Sequence, residues 1–232
     1  MNTATLKMHE KTTPSQSFIW LKQGLNLCLK APFKIFFLLL ATIIIEGLFQ
    51  LLPAPFGVIT SKLVMAILIA SLWPVLDQIS LHKSFTFKSL RLYTGWSKLP
   101  LLSLLLLLPT AAQVLTAVAM LGSSGLELLF YAQMVDVTPA QLSIIFASAT
   151  PVSILLMFVP AYLLLENKNI PTSINNGIRL ALRAWKPLTV VFAINLLAIM
   201  AVPFTFLLSA LLLGPWLLCI NYVAFKDLTN DQ

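Results

Sequence analysis

The sequence predicts an all-α, polytopic membrane protein: six transmembrane helices in three hairpins, with basic amphipathic interfacial helices before the odd-numbered spans. Three observations lead there. Across 232 residues, 59% are hydrophobic and 10% charged, with a mean hydropathy of +0.91, more apolar surface than a water-soluble core absorbs. The basic residues collect in alternate loops. A segment near the start is repeated 153 positions later. Disorder, a secreted disulfide scaffold and an ordinary cytosolic enzyme are thereby excluded.

The spans follow from length, since a helix rising 1.5 Å per residue needs about 20 residues to cross the hydrocarbon. A single membrane domain is expected over 32–225, with spans at 32–52, 56–79, 100–121, 139–165, 187–202 and 204–225. Residues 1–31 form a polar segment containing an amphipathic helix, and 226–232 a tail. The segment before the first span lacks a small-residue cleavage site, so the N-terminus is expected to be retained. From Pro187 to Phe225 no residue is charged. One straight helix there would be about 58 Å long, so a break near Pro203 makes two spans.

Prolines and caps mark boundaries. Pro32, Pro100 and Pro187 open odd-numbered spans, where a missing N–H costs nothing. Thr138-Pro139-Ala140-Gln141 has the spacing of a capping box. Pro74, Pro109, Pro151, Pro160 and Pro215 fall inside apolar runs and should kink them.

Fourteen of the fifteen Lys and Arg residues fall on one side of the expected bilayer, whereas 122–138 carries Glu127 and Asp136 with no cation. The positive-inside rule then puts both termini and the long basic loops in the cytoplasm of a bacterial inner membrane. The net charge of +7 is thereby explained without nucleic acid.

The repeat pairs Gln23–Ala31 with Asn176–Ala184: glycine, alternating leucines, a terminal basic residue and alanine coincide, and each copy runs into a proline and an apolar span. A weaker third copy is expected over 85–100. In the first copy Lys22, Asn26, Lys30 and Lys34 share a stripe opposite Phe18, Leu21, Leu25, Cys28 and Leu29. In the second, Asn175, Arg179 and Arg183 oppose Ile174, Ile178 and Leu182. With Lys88, Arg91, Lys98 and Lys186, these cations are the expected contacts for anionic lipid headgroups or for a partner; Trp20, Trp96 and Trp185 should sit at headgroup depth.

These segments, 24–32 and 177–187, together with the polar turn His82-Lys83-Ser84-Phe85-Thr86-Phe87, resemble in pattern uncharacterised bacterial six-span integral membrane proteins, related to the membrane domain of some glycerophosphoryl diester phosphodiesterases. The resemblance covers most of the chain and is one of pattern rather than motif. It implies an integral, repeat-built accessory domain without catalytic residues.

Polar groups inside the bilayer are expensive and hence informative. Glu46 and Lys62 each lie eight residues from Ala54 of the Pro53-Ala54-Pro55 turn, so antiparallel helices put them at one depth as a salt bridge. That bridge either pins the hairpin register or belongs to an ion or proton path. Gln113, Asn195 and Asn221 are further candidates, with interhelical hydrogen bonding as the plainer role. Asp77 should form a salt bridge near the basic face. Cys28 and Cys219 are read as separate packing residues.

P-loop, HExxH, GxSxG and CxxC motifs are absent, and His9 and His82 have no third ligand at metal spacing. No catalytic, cofactor-binding or metal-binding residues are therefore expected, and no cofactor. The expected partners are the lipid bilayer with its anionic headgroups, and a membrane protein or second copy; nucleic acid is not among them. Two roles remain: a non-enzymatic scaffold or accessory membrane subunit, and a small transporter or channel with a polar path near Glu46 and Lys62.

Overall fold

The computed structural model describes residues 13–91 and 93–229. Lys7, His9 and Lys11, and the end of the tail, lie outside the described residues. Within them every regular element is helical. Five helical stretches are long and apolar enough to cross a membrane, and a sharply bent helix pair makes up to six.

Helix α1 (Ser15–Lys30) leads into α2 (Pro32–Gln50), with Pro32 in its first turn as expected. After the Pro53-Ala54-Pro55 turn, α3 (Phe56–His82) returns through Pro74, running three residues past the predicted end at Ile79 before Lys83 closes it in the left-handed region. Spans three and four run as Thr94–Leu121 and Pro139–Leu164, each interrupted at its internal prolines as expected. The first is a 3-10 turn (Thr94–Lys98) followed by α5 (Leu99–Leu105) and α6 (Leu108–Leu121). The short α7 (Ser123–Phe130) crosses over to α8 (Pro139–Ala147), α9 (Thr150–Leu156) and α10 (Val159–Leu164). Pro109, Pro151 and Pro160 each open a new segment because a proline ring clashes with the preceding turn and donates no hydrogen bond. The Thr138–Gln141 capping box forms, with Gln141 N–H to Thr138 Oγ1 at 3.2 Å and Thr138 N–H to Gln141 Oε1 at 2.9 Å.

Helix α11 (Ile170–Arg183) then turns by 92° into α12 (Trp185–Met200). The chain reverses over 201–207, bracketing Pro203, and α13 starts at Leu208, later than the predicted 204, and runs to Thr229. Lys226, expected in a tail, is thus helical, because Asp77 holds it against α3.

The repeated segments show why both copies carry a glycine. A Cβ on Gly24 would lie 2.9 Å from the Cα of Ile220 in α13, and one on Gly177 would lie 2.9 Å from the Cα of Val159 in α10. Each amphipathic helix therefore presses backbone against backbone on the basic end of another helix. We expect Gly24→Val and Gly177→Val each to cost about 2 kcal/mol or more, since the opposing atoms are main chain and cannot rotate away; loss of less than half that in unfolding titrations would contradict the close approach.

That docking corrects the predicted faces of α1. The side turned to protein is Ser17, Trp20, Gly24 and Leu27, whereas Phe18, Leu25 and Leu29 of the predicted apolar stripe are exposed. Trp20 is 0% exposed, a core residue and not a headgroup anchor, while Trp185 is 58% exposed. Hydropathy marks what can leave water; only the partner surface decides which apolar face meets protein and which is left for lipid.

The third expected copy is not a continuous helix. It breaks into α4 (Phe87–Leu90) and the 3-10 turn. The Thr86 and Ser89 side chains cap locally, and Trp96 donates to the Leu90 carbonyl at 2.9 Å. Gly95 still makes a close approach, its Cβ position 2.6 Å from the Leu163 carbonyl oxygen.

One face gathers the basic loops. Gln16 Nε2 and Trp20 Nε1 donate to Asp227 Oδ2 at 2.7 and 2.9 Å, joining α1 to the end of α13. Lys98 reaches the Lys168 carbonyl and Lys30 the Ser80 carbonyl. Beneath them an aromatic core packs Trp73, Phe158 and Tyr162 around Phe225, with ring centroids 5.7, 6.0 and 5.1 Å from it.

Candidate functional site

Three groups of polar side chains lie within the helices. The first closes the α2–α3 hairpin. Helices α2 and α3 pack antiparallel beyond the Ala54 turn, and Lys62 Nζ meets Glu46 Oε1 at 2.5 Å. Gln50, one turn beyond Glu46, adds a longer contact of 3.4 Å to the same oxygen. The equal spacing from Ala54 was enough to pair these residues in the sequence. Lys62 is 33% and Glu46 16% exposed, and their mutual neutralisation offsets the cost of holding charge there.

The second group centres on Asp77 at the basic end of α3. Its Oδ1 accepts from the Tyr222 hydroxyl at 2.7 Å and pairs with Lys226 Nζ at 2.8 Å; its Oδ2 accepts from the Tyr93 hydroxyl at 2.7 Å. Gln78 Nε2 donates to the Tyr93 oxygen at 3.1 Å. The expected salt bridge is present, but its cation comes from the last helix and not from the basic loop after α3. Tyr222 and Lys226 are one turn apart, so they share a face, and this i, i+4 pairing was the sequence signal available for them. Burial first, and then the hydrogen bond to Asp77, push the Tyr93 phenol up to about 12, so it keeps the proton it donates. The site joins α3, the loop before the 3-10 turn, and α13.

The third group lies in a cleft of about 260 Å³ between α2, α3, α12 and α13. Leu39 and Ile43 form one wall, Met65 and Ile69 another. Asn195 and Asn221 are its polar members. Asn195 Nδ2 donates to the Val191 carbonyl of its own helix at 2.9 Å. Asn221 Oδ1 is buried and has no hydrogen-bond partner among the described residues. The cleft lining includes neither Glu46, Lys62 nor Gln113.

Gln113 is elsewhere, its Nε2 making a 3.4 Å contact to the Phe146 carbonyl between α6 and α8. The five intramembrane candidates thus fall into three separate places. Ser143 and Ser209 supply shorter interhelical bonds, to the carbonyls of Met200 at 2.6 Å and Ala198 at 3.0 Å. The cations Lys22, Lys30, Lys34, Lys88, Arg91, Arg179, Arg183 and Lys186 are exposed, and Lys98 half-buried.

Cys28 of α1 and Cys219 of α13 face each other across the Gly24 contact, a juxtaposition hidden in the sequence by their separation. No group of three His, Cys, Asp or Glu side chains among the described residues is arranged to hold a metal ion.

No protein-family model, curated protein or solved structure matches the chain. The fold alone therefore defines the class: an all-helical chain with five to six helices able to cross a bilayer, consistent with a multi-pass membrane protein.

Proposed function

We propose that this chain is a non-enzymatic, multi-pass protein of the bacterial inner membrane, acting as a membrane-embedded scaffold or accessory subunit. Six spans form three hairpins, with both termini and the basic loops cytoplasmic. The observation that carries this reading is the closed Glu46–Lys62 pair: the two charges on which a polar path would depend neutralise each other, and neither lines the cleft. The grouping of α1, the Asp77 end of α3 and the end of α13 supports an even number of crossings. As the fifth span α12 has 16 residues, about 24 Å, sufficient with local thinning of the bilayer.

In this arrangement α1 and α11 lie along the cytoplasmic leaflet. Phe18, Leu25 and Leu29 face acyl chains while Lys22 and Lys30 reach anionic headgroups, each such contact worth about 1 kcal/mol near a charged surface. Apolar flanks left free by the bundle are available to a membrane-protein partner or a second copy.

Exchanging the pair as Glu46→Lys with Lys62→Glu is expected to leave expression and stability within about 0.5 kcal/mol, whereas Glu46→Gln alone costs about 1 kcal/mol by leaving Lys62 unpaired. Reconstituted vesicles should leak protons and small ions no faster than empty ones. A flux that disappears in the Glu46→Gln, Lys62→Met double variant at normal expression would reverse the assignment and make the pair a pathway.

A further inference from the structure

Helices α1 and α13 run antiparallel with their main chains in contact. Gln16 and Trp20 meet Asp227, Gly24 meets Ile220, and the Trp216 indole N–H donates to the Leu21 carbonyl at 3.1 Å. A Cβ on Gly24 would stand 2.9 Å from both the N and the Cα of Ile220. Cys28 follows Gly24 by one turn on the same face of α1, and Cys219 directly precedes Ile220. The contact therefore sets the two thiols side by side, within hydrogen-bonding reach. They are the only cysteines in the chain. A disulfide needs Cα atoms within about 7 Å, a separation that packed helices reach only where a small residue lets their backbones touch.

The two sulfurs differ in access. Cys219 is 0% exposed, whereas Cys28 stands at the edge of the protein-facing side of α1 and is partly exposed. Hydrogen bonding to Cys219 holds the Cys28 thiol below its ordinary value, an effect that outweighs its burial. A thiolate that meets an oxidant must be reachable, while a thiol that resolves the product needs only to touch the first sulfur.

We propose that Cys28 and Cys219 form a peroxide-oxidised thiol–disulfide site, with Cys28 reacting first and Cys219 resolving it. The Cys28 thiolate attacks one oxygen of hydrogen peroxide and the O–O bond breaks. The departing hydroxide takes up the proton that the thiol released, which gives a sulfenic acid and water. The Cys219 sulfur then attacks the Cys28 sulfur; the S–S bond forms, the S–O bond breaks, and the hydroxyl leaves as water with the Cys219 proton. Two thiols and one peroxide become one disulfide and two waters. The product ties α1 covalently to α13, and a dithiol, itself oxidised to a disulfide, reverses it from the exposed Cys28 side. The site rests on the packing of α1 against α13 and not on the role proposed above.

The test uses the full chain in detergent, treated with hydrogen peroxide, quenched with N-ethylmaleimide and digested without reductant for peptide mass spectrometry. A peptide linking Cys28 to Cys219 should appear, and should disappear with dithiothreitol. In the reduced, folded chain the maleimide should label Cys28 about tenfold faster than Cys219 or more. In Cys219→Ala, peroxide should leave a sulfenic acid at Cys28 that dimedone captures, and in Cys28→Ala the Cys219 thiol should stay reduced. Oxidation of Cys28 to the sulfinic acid without the link to Cys219, or a Cys28–Cys28 link between two copies in its place, overturns the proposal in the unaltered chain, whether or not a variant folds. So does faster labelling of Cys219 than of Cys28.

Discussion

Asp77→Ala is expected to lower the unfolding free energy by about 3 kcal/mol, the largest effect of any single polar substitution in this protein. Three donors converge on that carboxylate, from Tyr93, Tyr222 and Lys226. Hydrogen bonds to a charged acceptor contribute about 1.5–3 kcal/mol each in water-soluble proteins, but interhelical polar contacts in membranes average nearer 0.6 kcal/mol because helices separated in lipid find other partners. Lys226 is about one-third exposed and can extend its ammonium towards water, which lowers the cost further. Asp77→Asn, which keeps an acceptor and loses the charge, should cost about half as much. Denaturant titration in mixed micelles measures both, and a loss below about 1 kcal/mol for Asp77→Ala would show that the three donors are satisfied elsewhere. The pH dependence carries a sign. The folded-state value of Tyr93, about 12, lies above its ordinary 10, so its contribution is complete below pH 10 and is lost as the pH rises through about 12.

Phe225→Ala should rank beside it, at about 2–3 kcal/mol. Phe225 is 0% exposed and touches three aromatic rings. Truncating a buried Phe costs about 3–5 kcal/mol in a water-soluble core, where transfer from water and cavity formation add together. Here the separated helices remain in hydrocarbon, so much of the transfer contribution cancels and the lost packing remains. Phe225→Leu, which refills most of the volume, should cost about 1 kcal/mol, and Phe206→Ala, at a side chain 90% exposed, close to nothing. Equal losses at 225 and 206 would mean that the aromatic core is not the packing centre of the basic end.

The two sites differ in how readable they were. Glu46 and Lys62 could be paired from the sequence because a short proline turn makes depth a matter of counting residues. Asp77 could be recognised as a charge needing a partner, but its partners lie 16, 145 and 149 positions away, and no local periodicity encodes which helix end arrives beside it. Cys28 and Cys219 were invisible as a pair for the same reason. The cleft was equally hidden: Asn195 and Asn221 stood out as polar residues in apolar runs, while the space they line exists only where four helices diverge.

By itself the sequence determined the helical class, the approximate spans, the turns at prolines, the Thr138 cap and the crowding of cations into alternate loops. Each follows from a local cause: hydrocarbon thickness, a missing N–H, or a side chain reaching three residues along. Tertiary structure alone decided that α1 presents Trp20 and Gly24 rather than Phe18 and Leu25 to the protein. It also broke the third basic segment into short turns and carried α13 past Lys226. In a chain this apolar each apolar face of a helix is as compatible with lipid as with protein, so hydropathy no longer selects the buried one. Close backbone approach at Gly24 and Gly177 and the demand of Asp77 for donors make that selection, and both depend on surfaces far away in the sequence.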